Sequence, residues 1–107
     1  MPETVICTYR VKAGNEDAFE ELLRRHWPTL HEYELVTDEP SRAYLGADEE
    51  KRPSYVEIFT WLDGAARRAY EVPAIAALWD PMEALCEKRG DRPATEFPHF
   101  QPVDLTA

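Results

Sequence analysis

The sequence YVEIFTW at positions 55–61 decides the predicted fold of this 107-residue chain. Its side chains alternate between two faces, and β-branched and aromatic residues dominate, which predicts a strand over Ser54–Leu62. The odd-numbered side chains would share one face and the even-numbered ones the other. Because both faces are largely apolar, we expect each of them to be covered.

Three other stretches have strand patterns. Thr4–Val11 alternates in the same way, and Ser41–Gly46 is predicted to form a hairpin with the strand described above, across the charged tip Asp48–Arg52. Ala94–Phe100 also alternates, but Pro98 has no backbone N–H to donate to a neighbouring strand. We therefore expect the last strand at an edge of the sheet.

The first predicted helix follows a turn at Ala13–Asn15. Its apolar stripe has helical spacing and consists of Phe19, Leu22, Leu23, Trp27 and Leu30. Pro28 interrupts this stripe, and a proline inside a helix removes a backbone donor and clashes with the preceding turn. The sequence therefore predicts a kink or a restart of the helix at Pro28, with Thr29–Tyr33 as a separate last turn.

A second helical region follows the strongest strand. Asp63–Gly64 is predicted to start a short helix that continues to Tyr70, and Pro73 is typical of the first turn of another helix. The apolar stripe of that helix consists of Ile75, Leu78, Trp79, Met82, Leu85 and Cys86. We expect a kink at Asp80–Pro81 and the end of the helix at Gly90.

The order of the elements is β-α-β-β-α-β, which is typical of a ferredoxin-like α+β fold with an antiparallel sheet. The length fits a single domain over residues 1–107. In such a fold, helices cover one face of the sheet, and here the bare face would carry aromatic side chains in either orientation. An exposed apolar face of that size favours association, so we expect a homodimer formed through the sheet face.

Composition narrows the classes of partner. Asp and Glu number 21 against 12 Lys and Arg, which gives a formal net charge of −9 and argues against a nucleic-acid or anionic-membrane partner. No apolar run is long enough to span a membrane, and the first ten residues do not resemble a signal peptide. Cys7 and Cys86 lie in apolar stretches and are expected to be reduced and buried. These features predict a cytoplasmic protein.

The chain resembles the dimeric α+β barrel superfamily and, within it, the antibiotic-biosynthesis-monooxygenase-like group. The resemblance rests on Tyr55–Trp61, followed by Ala65–Ala66, Tyr70–Pro73 and Ala77–Trp79. It implies a pocket between the sheet and the helices of each subunit. In the monooxygenases of this group, the pocket oxidises polycyclic aromatic substrates with O₂ and without flavin, metal or haem, so no cofactor is expected.

The chain departs from this family pattern at one position. Many relatives have a histidine where Tyr70 stands, three residues before Pro73, so a mechanism that uses that histidine does not transfer. Haem-degrading relatives bind iron through a histidine on the second helical region, and positions 63–90 contain none. Haem degradation is therefore not expected.

Glu57 is the acid that looks out of place, because it shares a strand face with aromatic residues. An unpaired buried carboxylate is costly, so Glu57 is expected either to form a salt bridge, for example across the dimer, or to take part in ligand binding. Among the three histidines, His99 is the preferred candidate for a general base, with His31 as the second choice. A composite metal site of His26 or His31 with His99 and Glu57 is conceivable, but the HExxH pattern is absent and no metal is expected.

Six aromatic residues are candidate walls of a substrate pocket, with burial in the core as the alternative for each: Tyr9, Trp27, Tyr55, Phe59, Trp61 and Trp79. The first functional hypothesis is a cofactor-independent monooxygenase-like enzyme that acts on a small aromatic or apolar molecule. Two alternatives stay open. One is a non-catalytic dimeric ligand-binding or structural module, and the other is an isomerase or cyclase that uses the same pocket without oxygen.

Overall fold

The computed structural model describes residues 2–106 and has the predicted order of elements, with the second helical region and the last strand each divided in two. The strands are β1 (Glu3–Arg10), β2 (Arg42–Ala47), β3 (Pro53–Trp61), β4 (Thr95–Glu96) and β5 (His99–Phe100), and the helices are α1 (Glu16–Glu32), α2 (Ala65–Ala69) and α3 (Pro73–Ala84). The antiparallel sheet has the order β2-β3-β1-β4, and β5 also pairs with β1. The α+β, ferredoxin-like prediction is confirmed.

The inner face of the sheet carries the buried side chains of its two central strands. The odd-numbered residues from Val5 to Tyr9 and from Pro53 to Trp61 are buried. The register places Cys7 opposite Glu57, so the carboxylate lies in the middle of this apolar face. The helices contribute fully buried side chains to the same core, namely Phe19, Leu30, Ile75 and Met82.

The outer face differs from the expectation that its bare side would be aromatic. Its central positions are aliphatic or threonine: Thr4, Ile6, Thr8, Val56, Ile58 and Thr60. Tyr44 pairs with Val56 and Phe100 pairs with Thr4, so these two exposed aromatic residues lie on the outer face of the flanking strands. The expectation was wrong for the centre because alternation places the large rings of β1 and β3 under the helices.

Helix α1 runs from Glu16 to Glu32 without interruption, so the prediction of a separate last turn at Thr29–Tyr33 is wrong. Pro28 is exposed, where water can satisfy the carbonyl that it leaves without a partner. The Thr29 hydroxyl donates to the Arg25 carbonyl at 2.6 Å, which supports the turn that contains the proline. Within residues 2–106, no helix is long and apolar enough to cross a membrane.

Helix α3 contains Pro81 but ends at Ala84, so the predicted end at Gly90 is wrong. The chain beyond Ala84 pairs with the end of β1: the Lys12 amide donates to the Leu85 carbonyl at 2.9 Å, and the Glu87 amide donates to the Arg10 carbonyl at 2.8 Å. These long-range hydrogen bonds compete with continuation of the helix. Gly90, with φ of 65°, instead forms a tight turn after the helix.

The C-terminal strand lies at the sheet edge, as predicted, but it is broken at Pro98. Residues on each side of the break pair with β1, and the Pro98 carbonyl accepts a hydrogen bond from the Ile6 amide at 3.1 Å. The proline thus accepts from β1 without having to donate. This arrangement brings Phe97 and His99 to the inner face of the sheet beside the helices.

Candidate active site

A cavity of about 160 Å³ lies between the inner face of the sheet and the helices. Strands β1 and β3 form its floor, α1, α2 and α3 contribute to its sides, and the C-terminal segment completes it. Most of its lining is apolar or aromatic: Val5, Cys7, Tyr9, Phe59, Trp61, Ala66, Tyr70, Trp79 and Phe97. The polar groups at this cavity are few, and they include His26, Glu83 and His99. This composition is typical of a small-molecule site.

Glu57 has its partners within the same chain. The carboxylate is completely buried and lies 2.9 and 3.1 Å from Nδ1 of His26. The Tyr9 hydroxyl donates to Glu57 Oε1 at 2.9 Å. The structure thus satisfies the carboxylate without the salt bridge across a dimer that the sequence allowed, and it pairs Glu57 with a buried histidine.

The hydrogen bonds of His26 define its protonation. The indole Nε1 of Trp79 lies 2.8 Å from His26 Nε2, and an indole N–H is a donor only. Nε2 must therefore accept, so the ring proton is on Nδ1, where it is donated to Glu57. His26 is thus a neutral imidazole. Its basic nitrogen, Nε2, faces the cavity and already accepts a hydrogen bond from Trp79.

Two other groups in this cluster stay protonated at neutral pH. Burial raises the pKa of the Cys7 thiol well above its ordinary value, and the negative charge of Glu57 raises it further. Burial likewise raises the pKa of the Tyr9 hydroxyl, again with a contribution from Glu57. Cys7 is therefore not a thiolate nucleophile, and Tyr9 acts as a hydrogen-bond donor to the carboxylate.

His99 lies at the rim of the cavity and not in its interior. Its side chain is 32% exposed, and Nδ1 lies 3.5 Å from a carboxylate oxygen of Glu3. A second pocket of about 300 Å³ borders the cavity at this point, and both are lined by Trp61, Ala66 and His99. His99 thus lies between the apolar cavity and a more open, polar depression that includes Arg67.

The structure places the predicted site residues in three locations. Tyr9, Phe59, Trp61, Trp79 and His99 line the cavity, and Glu57 lies directly behind His26. Trp27 and Tyr55 instead line a larger, open groove of about 560 Å³ between α1 and β2. His31 is exposed, stacks on Trp27 and bonds to Asp38, outside the cavity. The smaller cavity is the better candidate site because it holds the buried titratable pair.

His26 is not among the catalytic residues predicted from the sequence, although its position carries a signal. His26 lies four positions after Leu22 and four before Leu30, within the apolar stripe of α1. A polar side chain on the stripe that faces the core requires a buried partner, and Glu57 is the matching anomaly on the sheet. Within the described residues 2–106, no group of three His, Cys, Asp or Glu side chains is placed to hold a metal ion.

Comparisons with known proteins identify the fold. No protein-family model matches the sequence, and no curated protein is significantly similar to it. Among solved structures, SnoaB, a cofactor-independent oxygenase from Streptomyces nogalater, has a TM-score of 0.70 and 23% identity, with 98% of this chain and 96% of that chain covered.

Two further solved structures have a similar fold over nearly the whole chain. A structure of an antibiotic biosynthesis monooxygenase has a TM-score of 0.70 and 16% identity, with 97% of this chain and all of that chain covered. A protein of Mycobacterium tuberculosis has a TM-score of 0.68 and 11% identity over the full length of both chains. The chain therefore has the α+β fold of the antibiotic-biosynthesis-monooxygenase-like proteins.

Proposed function

We propose that this protein is a cofactor-independent oxygenase of small aromatic molecules. The observation that supports this proposal is the buried His26–Glu57 pair beside an aromatic-lined cavity. A neutral imidazole backed by a carboxylate is a suitable general base, because the carboxylate stabilises the imidazolium that forms. The similarity in fold to an oxygenase that needs no cofactor adds a second, weaker argument.

In the proposed reaction, Nε2 of His26 removes a proton from the substrate. The resulting anion is electron-rich and reduces O₂ directly, which removes the need for a flavin or a metal. For 1-naphthol the balance is one naphthol plus one O₂ giving 1,4-naphthoquinone plus one water. One oxygen atom enters the ring, and the other leaves as water with two hydrogen atoms of the substrate.

The remaining residues of the cavity have supporting roles in this proposal. The rings of Phe59 and Trp61 contact each other edge to face, with their centroids 5.1 Å apart, and provide an apolar surface for a flat ring. His99 at the rim passes the proton between the cavity and solvent, a role that its partial exposure allows. A volume of about 160 Å³ fits one aromatic ring or two fused rings.

Oxygen uptake with 1-naphthol tests the proposal. We expect the wild-type protein to consume O₂ and to form the quinone, and His26→Ala to reduce this rate by about 100-fold or more, as for loss of a general base. His31→Ala is the matched control, because it removes a histidine of the same helix that lies outside the cavity. Equal rates in the His26→Ala and wild-type proteins would exclude His26 as the base.

One observation favours a second candidate, the non-catalytic ligand-binding module. The basic nitrogen of His26 is already bonded to the Trp79 indole, so the site holds no free base without a ligand. Native mass spectrometry of the purified protein distinguishes the two functions when combined with the oxygen electrode. A retained small molecule that is never consumed under O₂ would support the module and contradict the oxygenase.

We also propose that a second copy of this chain covers the outer face of the sheet. Ile6, Val56 and Ile58 lie there without helix cover, and Tyr44 and Phe100 extend the apolar surface. Light scattering should then give twice the chain mass of 12.4 kDa. Ile58→Lys should give a monomer, since it places a charge in the middle of the face. A wild-type monomer at micromolar concentration would contradict the proposal.

A further inference from the structure

The hydrogen bond between Trp79 and His26 restricts the ligands that this cavity can accept. The indole N–H donates to the imidazole Nε2 at 2.8 Å, and each group has one hydrogen-bonding role that it cannot exchange. Nε1 of Trp79 can only donate, and Nε2 of this tautomer can only accept. A ligand that separates them must therefore accept from one and donate to the other.

We propose that the cavity selects aromatic molecules with an ionisable hydroxyl group, whose oxygen inserts between Trp79 and His26. Such an oxygen accepts the indole N–H and donates its own hydrogen to Nε2. This inference rests on the assignment of the cavity as the ligand site under the proposed function. It adds the substrate class and gives Trp79 the role of a specificity residue.

The surroundings of the two rings indicate which one moves to admit the ligand. His26 is 2% exposed and is held by both oxygens of the Glu57 carboxylate. Trp79 is only partly buried, and it contacts the ring of Tyr70, which is 76% exposed. A displacement of the indole therefore disturbs a contact with a surface residue, whereas a displacement of His26 leaves a buried carboxylate without its partner.

Insertion of a hydroxyl group also prepares proton transfer. The proton moves from the ligand oxygen to His26 Nε2, and the electron pair of the broken O–H bond stays on the oxygen. The resulting oxyanion then accepts hydrogen bonds from the Trp79 indole and from the new N–H of His26, while Glu57 faces the opposite side of the imidazolium. The step requires no oxidant or reductant.

Ligands that lack an acidic hydrogen cannot satisfy both groups. An ether or ketone oxygen accepts from the indole but leaves the lone pair of Nε2 without a donor. A carboxylate has the same limitation and also introduces a second negative charge near buried Glu57. The arrangement therefore discriminates by hydrogen-bonding role among rings of equal size.

Binding of 4-nitrophenol and 4-nitroanisole tests this inference, because the two rings differ in the hydroxyl hydrogen. We expect 4-nitrophenol to bind at least about tenfold more tightly by calorimetry. Its bound form should show the absorbance of the phenolate at a pH where the free ligand is mainly neutral. Equal affinities, no binding of either ligand, or a bound ligand that stays neutral would each overturn the proposal.

A tryptophan variant and a spectroscopic measurement separate a specific role of Trp79 from a structural one. Trp79→Phe keeps a ring but removes the donor to the ligand oxygen. Because the bound phenolate oxygen loses more from this than an ether oxygen does, the preference for 4-nitrophenol should fall several-fold. Trp27→Phe is the matched control, since Trp27 lines the open groove between α1 and β2 and not the cavity. An unchanged preference in Trp79→Phe, or an equal loss in Trp27→Phe, would overturn the role of Trp79.

In ¹⁵N NMR of the wild-type protein, Nε2 of His26 should change from unprotonated to protonated when 4-nitrophenol binds. An Nε2 signal that stays unprotonated in the complex would overturn the proton transfer. These readouts do not depend on turnover. Selective binding without O₂ uptake would therefore contradict the oxygenase and leave the ligand class supported.

Discussion

Two buried charged clusters lie in different parts of this fold, and they are built in different ways. In the first, Glu57 is bonded entirely to side chains, those of Tyr9 and His26. In the second, the Arg89 guanidinium donates to the backbone carbonyls of Pro53 at 2.9 Å and Val11 at 2.6 Å. Its side chain is only 4% exposed and also pairs with Asp48 at 3.3 Å.

The difference in bonding favours a structural role for the Arg89 cluster and a functional role for the His26 cluster. Arg89 ties the end of β1, the β2–β3 hairpin and the segment after α3 together through carbonyl groups that cannot move independently of the fold. The His26 cluster depends on side chains, borders a cavity and can exchange one donor for another. We therefore expect changes at Arg89 to affect mainly stability and changes at Glu57 to affect mainly activity.

The largest expected effect on stability is that of Arg89→Met. This variant keeps a long side chain but leaves the carbonyls of Val11 and Pro53 without their buried donor, so the free energy of unfolding should fall by about 3 kcal/mol. Urea denaturation followed by circular dichroism measures the change. A loss below about 1 kcal/mol would show that Arg89 does not hold the three segments together.

Glu57→Gln should have the opposite profile, with a small loss of stability and a large loss of activity. The amide keeps the shape and can still accept one hydrogen bond, so the loss in stability should be only about 1–2 kcal/mol. The neutral side chain no longer stabilises a protonated His26, so turnover of 1-naphthol should fall by roughly 100-fold. Steady-state oxygen uptake and urea denaturation of the same sample separate the two effects. Full activity in a stable Glu57→Gln protein would contradict the functional role of Glu57.

The two cysteines differ in burial and in the charge of the neighbouring cluster, so their pKa values differ. Burial raises the pKa of the Cys86 thiol to about 11, although the positive charge of Arg89 opposes the increase. Cys7 is more deeply buried, and its burial together with the negative charge of Glu57 raises its pKa further. As the pH rises to about 11, iodoacetamide should therefore modify Cys86 before Cys7, which mass spectrometry of tryptic peptides detects. Modification of Cys7 first would contradict this order of the two pKa values.

The raised pKa of Cys86 also predicts a loss of stability at alkaline pH. The unfolded thiol ionises at its ordinary pKa, whereas the folded one keeps its proton up to about pH 11. The contribution of this group is therefore complete below the ordinary thiol pKa and is lost between that value and about 11, by roughly 1–2 kcal/mol. Cys86→Ala should flatten this part of the curve of stability against pH. An unchanged slope in the variant would assign the loss to other groups.

Tyr9→Phe should have the smallest effect. It removes one of the donors to the Glu57 carboxylate and leaves the other in place, so we expect a loss of about 1 kcal/mol in stability. His99→Ala, which changes a partly exposed side chain at the rim of the cavity, is the control for a general effect of truncation near the site. A loss above about 3 kcal/mol in Tyr9→Phe would show that Tyr9 is essential to the cluster.

Local pattern was sufficient to predict much of this fold. Alternation over residues 55–61 identified the central strand and the anomalous carboxylate, and Pro98 correctly indicated an edge strand. The end of α3 was not predictable, because Leu85 and Glu87 leave the helix to pair with the end of β1, more than 70 positions away. Such pairings depend on the assembled sheet and leave no local signal.

Only part of the candidate site was predictable from the sequence, because the rest depends on how the elements are assembled. The sequence showed that Glu57 needed a partner, but the rotation of α1 about its axis decides that His26, and not His31, faces the sheet. That rotation follows from the stripe that contains Leu22 and Leu30, on which His26 lies. The occupied Nε2 of His26 was beyond prediction, since it requires the relative positions of α1 and α3.

Turnover of 1-naphthol under ¹⁸O₂ tests whether the His26 cluster, and not the Arg89 cluster, carries out the proposed reaction. We expect the wild-type and Arg89→Met proteins, at a temperature where both are folded, to form a quinone that contains one labelled oxygen atom. The folded Glu57→Gln and His26→Ala proteins should form labelled quinone about 100-fold more slowly. Label incorporation at the wild-type rate in these two variants, or no incorporation by the folded wild-type protein, would contradict a catalytic role of the His26 cluster.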